Sequence, residues 1–556
     1  MIRLLPLLPL ALTLAAAAAA QTPAGAPAIS TETLKTVTQT LSSDAFEGRA
    51  PTTPGEEKTV AYLIERFRAA GLKPGNKGSW TQDVPMVEIT AADVQPLTFT
   101  GGKAPVTMAY RTDMVAGTYR VVPRIALADS DVVFVGYGIT APEKGWDDYA
   151  GVDVKGKTVV ILVNDPDWQT PASGANAGPF EGRAMTWYGR WPYKYENAAK
   201  HGAAAAIIVH ETEPAAYGWP VVQSSWTGPQ YGLDVPGGNA DQSQVIGWMQ
   251  LAKARELFAS AGKDFAGLSA AAKVKGFRAV PLGLKMSAGF RNTIKRQASK
   301  NVIGVLPGTT AQDDYVLYTA HWDHLGRCDA VAGDDICNGA LDNATGTAGL
   351  VALAEAHAKA GPAKRSLAFL AVTAEESGLL GSKYYADNPV YPLARTVGGV
   401  NMDGLNVDGR VRDFVLTGAG KSELEDLVRP ILTAQGRRIS PEPTPERGFY
   451  YRSDHFSFAR LGVPMLYGES GQDAVVGGPA AGKAAAEDYV ANRYHKPSDH
   501  YDPKWDWTGA VEDLSAYYAL GRKLADDAVL WPNWYPTAEF RAVRDKSRAA
   551  PPSPRP

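Results

Sequence analysis

The sequence predicts an α/β protein whose mixed sheet is flanked by helices and interrupted by a β-rich inserted domain. Three observations carry that expectation. From about Ala298 onward, apolar strand-like runs alternate with amphipathic helical runs, the pattern of a sheet covered on both faces. Between roughly Gln82 and Leu284 the chain breaks instead into short β-rich runs separated by turn residues. Finally, residues able to hold metal ions follow directly on several of the later strands, and open α/β sheets collect ligands beyond the carboxyl ends of their strands.

At 556 residues and 45% hydrophobic content the chain is long enough for two or three domains with substantial cores. Residues 1–20 open with Arg3, continue in an apolar Leu/Ala run and end in small residues before Gln21, the pattern of a cleaved secretory signal. The run is short and holds Pro6 and Pro9, which argues against a membrane anchor. A periplasmic or secreted protein with no stable membrane insertion is expected.

A small-residue linker reaches about Ile29, and Thr33 to Gly71 then shows helical periodicity through Val60, Leu63, Ile64 and Phe67. Residues 30–85 are read as the first part of the main domain and 86–290 as the insertion, with strands such as Val132–Gly138 and Lys157–Val163. Residues 291–535 complete the main domain. Its strands read Asn301–Leu306, Val316–Ala320, Ser366–Thr373, Val397–Met402 and Val463–Tyr467, and Thr347–Ala360 reads as a helix. Residues 536–556, ending in Ala-Pro-Pro-Ser-Pro-Arg-Pro, are expected to form a disordered tail.

Two cysteines occur, Cys328 and Cys337, in one loop. In an exported chain such a pair predicts a disulfide. A net charge of −3 with scattered Lys and Arg offers no basic stripe and excludes nucleic-acid binding as the reading.

Five short stretches carry the chemistry: His321-Trp322-Asp323, Asp342 within Gly339–Gly346, Glu375-Glu376, Asn401-Met402-Asp403 and Tyr494-His495. Strand alternation lets His321 and Asp323 face one way and His324 another. His321 is then the ligand, Asp323 the carboxylate that accepts the other imidazole N–H, and His324 is set aside. Asp342 sits among small residues where a carboxylate can bridge two ions. Two adjacent glutamates after a buried strand repel unless cations compensate them. One can ligate zinc while the other accepts a proton as general base, and spacing alone leaves open which does which. With Asp342 shared, two half-sites result, one of His321, Asp342 and Asp403, the other of Glu376, Asp342 and His495. Two histidines and three carboxylates suit two zinc ions per chain, roughly 3.5 to 4 Å apart. Asp334, Asp335, His201, His210, His357 and His500 lack such spacing and are read as structural or solvated.

These motifs resemble the co-catalytic dizinc family that includes the secreted bacterial leucine aminopeptidase, glutamate carboxypeptidase II and carboxypeptidase Q. The run Leu41-Ser42-Ser43-Asp44 to Arg49, continuing through Thr53-Pro54-Gly55, is similar to the opening of family members, and the β-rich insertion to a protease-associated domain. The resemblance implies a zinc-exopeptidase fold, a peptide substrate, Glu375 as base and Glu376 as ligand. It also places Tyr450, in Gly448-Phe449-Tyr450-Tyr451-Arg452-Ser453-Asp454-His455, where related aminopeptidases hydrogen-bond the developing oxyanion. An aminopeptidase is the leading expectation. A carboxypeptidase or dipeptidase of the same family is the nearest alternative, and a single-zinc glutaminyl cyclase a more distant one. Side-chain preference and oligomeric state are not legible.

Overall fold

The computed structural model describes residues 27–171 and 178–549. The expected signal at residues 1–20 lies outside them. Among the described residues no helix is long and apolar enough to cross a membrane.

The main domain is a mixed sheet flanked by helices. Strand Ala311–His321 lies at its centre, parallel both to Arg365–Val372 and to Thr396–Met402. Thr396–Met402 is in turn parallel to Met465–Ser470. Antiparallel pairing flanks this parallel centre: residues 302–306 run against Arg365–Val372, and Asp413–Leu416 against Met465–Ser470. Side-chain alternation sorts the central strands onto two faces. Val316, Tyr318 and Ala320 join the large core under helices Thr31–Leu41, Gly346–Lys359 and Thr508–Asp526. Leu317 points the other way, toward Tyr385, Phe458 and Val463. Fully buried strands of this kind read as continuous apolar runs, which is why these five were visible in the sequence.

The expected helical segment Thr33–Gly71 is two helices, Thr31–Leu41 and Pro54–Ala69. Between them the chain turns through Glu47 at φ 52° and Gly48 at φ 67°. Pro51 and Pro54 also forbid a continuous helix there. Gly48 is not replaceable without displacement, since a Cβ would come within 2.5 Å of the Gly326 and Cys337 carbonyl oxygens. Cys328 and Cys337 are joined in a disulfide, which staples the two short strands Gly326–Val331 and Asp334–Cys337.

The insertion has its own two apolar clusters, around Phe134, Ile207 and Phe258 and around Val159, Ile208 and Trp248. It is not hung on flexible linkers. The chain enters along Thr81–Ala92 and returns along the 27-residue strand Val280–Leu306, and these pair antiparallel from Thr81↔Val302 to Ala92↔Arg291. The boundaries near 86 and 290 therefore fall inside one ladder. The return strand pairs with Arg124–Phe134 at its start and with Arg365–Val372 at its end.

The disordered tail expected at 536–556 is corrected for its described part. Arg541–Ala549 is helical. Arg544 is fully buried and donates to the carbonyl oxygens of Leu393, Thr396 and Val397. Phe540 packs on Trp534 with ring centroids 5.0 Å apart. The polar composition of this stretch concealed its two anchors.

Candidate metal centre

The sheet brings the metal-binding candidates to its carboxyl edge. His321 is the last residue of Ala311–His321, Glu375 and Glu376 follow Arg365–Val372 after a two-residue turn, and Asp403 follows Thr396–Met402. Asp342 lies in the non-helical turn ahead of helix Gly346–Lys359. His495, at φ 57°, comes from the segment after the exposed helix Gly478–Asn492.

All five expected ligands converge. His321 Nε2 lies 3.1 Å from Asp403 Oδ1 and 3.4 Å from Asp342 Oδ1. On the other side, His495 Nε2 lies 3.3 Å from Asp342 Oδ2 and 3.1 Å from Glu376 Oε2. Asp342 thus presents one carboxylate oxygen to each histidine. Donors placed tetrahedrally about 2.0 to 2.1 Å from a zinc ion stand about 3.3 Å from one another, so the spacings fit a shared coordination sphere on each side. His495 Nε2 and Glu376 Oε1 are also buried without an aligned hydrogen-bond partner, which is costly unless a further group satisfies them. The residues fit a divalent-metal site, with Asp342 facing both histidines.

The two glutamates differ electrostatically. Burial drives the Glu375 carboxyl well above the usual carboxylate range, with Asp403 and Glu376 adding to the rise against His321. Burial opposes ionisation of Glu376 as well, but the imidazoles of His324 and His495 outweigh it and hold this carboxyl well below that range. Neighbouring titratable groups pushed apart in this way are the usual mark of divided acid–base roles. The Glu375 carboxylate makes no hydrogen bond or ion pair with any described residue, whereas Glu376 Oε1 and Oε2 face His324 and His495 at 2.7 and 3.1 Å.

One expected role changes. The Asp323 carboxylate does not accept the second N–H of His321: His321 Nδ1 is 3.2 Å from the Asp323 backbone carbonyl oxygen and 3.8 Å from its Oδ1. Oδ1 instead accepts the Glu375 backbone N–H at 3.1 Å. Asp323 therefore ties the His321 strand to the glutamate turn. Tyr450, expected to face a developing oxyanion, has a buried hydroxyl without a partner, and the carboxylates that act on it are Glu539 and Glu425. Its ring sits against Lys421, His455 and Tyr451. Tyr467, Tyr489 and Tyr494 feel the carboxylates of the centre, and Tyr494 stacks on His495 with ring centroids 3.9 Å apart.

Several supports went unrecognised in the sequence. The buried Arg49 guanidinium donates to the carbonyl oxygens of Leu41, Trp322, Asn338 and Gly339, joining the two loops that follow His321 and precede Asp342. Asn343 donates to the His321 and Met402 carbonyl oxygens and accepts from the Gly346 and Gly404 N–H groups. Asp499 accepts the Leu341 and Asp342 backbone N–H groups. Arg49 closes a run noted for other residues and Asp499 lies four residues after His495, but nothing in residue type or spacing announces a bond to a main-chain atom some 160 to 290 residues away.

The insertion reaches the same edge. Arg460 pairs with Glu196 at 2.9 Å, the Met185 N–H donates to the Pro445 carbonyl oxygen, and Trp187 packs on Phe456 at 4.6 Å.

Known proteins resemble parts of this chain. Residues 301–519 match the model of peptidase family M28. Aminopeptidase NAALADL1 of Mus musculus is 30% identical over 129 residues, 22% of this chain and 16% of the relative. Aminopeptidase YwaD of Bacillus subtilis (strain 168) is 36% identical over 93 residues, 16% of this chain and 18% of the relative. The chain thus spans less than a fifth of the length of these two curated relatives. Among solved structures, an aminopeptidase from Aneurinibacillus sp. strain AM-1 aligns over 89% of this chain and 94% of its own, at 22% identity and a TM-score of 0.47.

Proposed function

We propose that the protein is an exported zinc aminopeptidase that hydrolyses the N-terminal bond of peptides at a two-ion centre. The observation that carries the reading is Asp342 offering Oδ1 to the His321 side and Oδ2 to the His495 side at 3.4 and 3.3 Å. His321, Asp342 and Asp403 would hold one ion, and His495, Asp342 and Glu376 the other. Zinc held there supplies Lewis-acid polarisation of a carbonyl and a lowered pKa for water.

The chain's own residues account for the proton. Glu375, unpaired and beside the ligands, accepts a proton from the attacking water and returns it to the leaving amine, help worth on the order of 10² to 10⁴ in rate. Asp323 fixes the start of the Glu375 turn through its backbone N–H, so the base is held by the same loop that ends the His321 strand. The inserted β-rich domain, in contact with residues 445–460, borders the cleft and limits its size.

Aminoacyl arylamides and N-blocked peptides assayed side by side on the mature protein, with zinc analysis and a chelator control, test the reading. Arylamide hydrolysis, close to two zinc ions per chain and loss of activity on chelation are expected. Cleavage of N-blocked peptides alone would make the enzyme a carboxypeptidase, and full activity with one zinc would favour the cyclase-like alternative.

A further inference from the structure

His324 stands apart from the five expected ligands, yet it is 1% exposed and lies against one of them. Its Nδ1 is 2.7 Å from Glu376 Oε1, while Oε2 of the same carboxylate faces His495 at 3.1 Å. The two imidazoles grip the carboxylate from opposite oxygens, with ring centroids 5.7 Å apart and planes at 78°. The seat is specific. A Cβ at Gly339 would lie 2.5 Å from His324 Cδ2 and Cγ, so only glycine, here at φ 56°, leaves room for the ring. Neither ring nitrogen has an aligned hydrogen-bond partner among the described residues, and a buried imidazole kept for packing alone would carry that cost without return.

We infer that His324 is a positioning residue: it occupies Oε1 of Glu376 and thereby leaves Oε2 as the single oxygen turned toward His495 and Asp342. A carboxylate ligand free on its outer oxygen can rotate or bind through both oxygens. Fixing it from behind is how groups outside the metal's own ligands set affinity. The inference rests on the two-ion reading above. A competing role is direct ligation, since donor atoms of His324, Asp342 and Glu376 all lie within 4.8 Å of one another.

His324→Ala and His324→Asn separate these roles, because an asparagine amide nitrogen takes the place of Nδ1 as a donor to Glu376 while being a poor zinc ligand. Calorimetric titration of the metal-free proteins with Zn²⁺, and the visible spectrum after loading with Co²⁺, are the readouts. Two sites in the unaltered protein, one of them weakened about 10- to 100-fold in His324→Ala and restored in His324→Asn with an unchanged cobalt spectrum, are expected. The untouched first site reports that each variant is folded. Unaltered affinities in His324→Ala would overturn the inference. So would a His324→Asn that stays as weak as His324→Ala with a changed cobalt spectrum, which identifies a ligand. Fewer than two sites in the unaltered protein would overturn the two-ion reading itself, and this inference with it.

Discussion

The half of the centre around His321 and the half around His495 meet at Asp342 but rest on different kinds of structure. His321 and Asp403 close two adjacent parallel strands, paired from Tyr315 to Ala320 and from Thr396 to Met402. The His321 side chain is 1% exposed. His495 follows a helix with no buried residue, and its side chain is 34% exposed. One half is therefore fixed by the fold and the other by local chain geometry. Segments with few buried contacts open at low free-energy cost, so the metal-binding strength of the two halves should differ although their donor sets are nearly the same.

The largest effect tests whether the base belongs to the strand-built half. Glu375→Gln should lower kcat by on the order of 10² to 10⁴, about 2.7 to 5.5 kcal/mol of barrier, and keep both zinc ions. Loss of an ion in this variant would show that Glu375 is a ligand. Next comes the approach to Asp342, where Cys328→Ser with Cys337→Ser opens the stapled hairpin. Urea unfolding should register a loss of roughly 2.5 to 3 kcal/mol, and an unchanged midpoint would count against the staple.

A third measurement concerns what lies beneath both halves. His357, on the helix that follows Asp342, has Nε2 2.9 Å from the hydroxyl of Tyr318, which belongs to the His321 strand. Burial, helped by Arg522, lowers this imidazole to about 3, against an unfolded value of about 6.5. The unfolded chain takes up a proton that the native one refuses. The contribution is intact above about pH 6.5 and erodes as pH falls toward 3, by about 2 kcal/mol at pH 5. His357→Gln should remove that part of the slope in unfolding free energy between pH 7 and 5, and equal slopes in the two proteins would refute the assignment.

The smallest effect addresses the comparison directly. Competition with a chelator should release the His495-side ion before the His321-side ion, with dissociation constants differing by about tenfold, near 1.4 kcal/mol. His495→Ala should show the tighter release alone. Simultaneous release would mean that the exposed half is held as firmly as the strand-built one.

The same division explains what the sequence disclosed. The buried strands were legible because their apolar runs are continuous, and the candidate ligands because His, Asp and Glu at strand ends have few structural uses. Tyr450 was named from a signature, which gives chain position and not the direction of a hydroxyl. Asp323 was recognised as important but paired with the wrong group, since its partner is a backbone N–H 52 residues away. His324 was set aside on strand alternation, a rule that stops applying once the strand ends at His321. Arg544 and Arg49 act on carbonyl oxygens, which every residue carries and no pattern marks.

The 27-residue strand shared by insertion and main domain makes the connection a splint. Twelve paired positions, from Thr81↔Val302 to Ala92↔Arg291, lie across the crossing, so bending there would shear a ladder of hydrogen bonds instead of turning a hinge. A single nick in either strand would leave the other still registered across the junction. Excising the insertion would also cut into the strand whose far end borders the sheet that carries His321, because Val302 to Leu306 of that strand pair with Ala371 to Leu367. The wall of the cleft and the floor of the metal centre are thus cut from one piece of backbone.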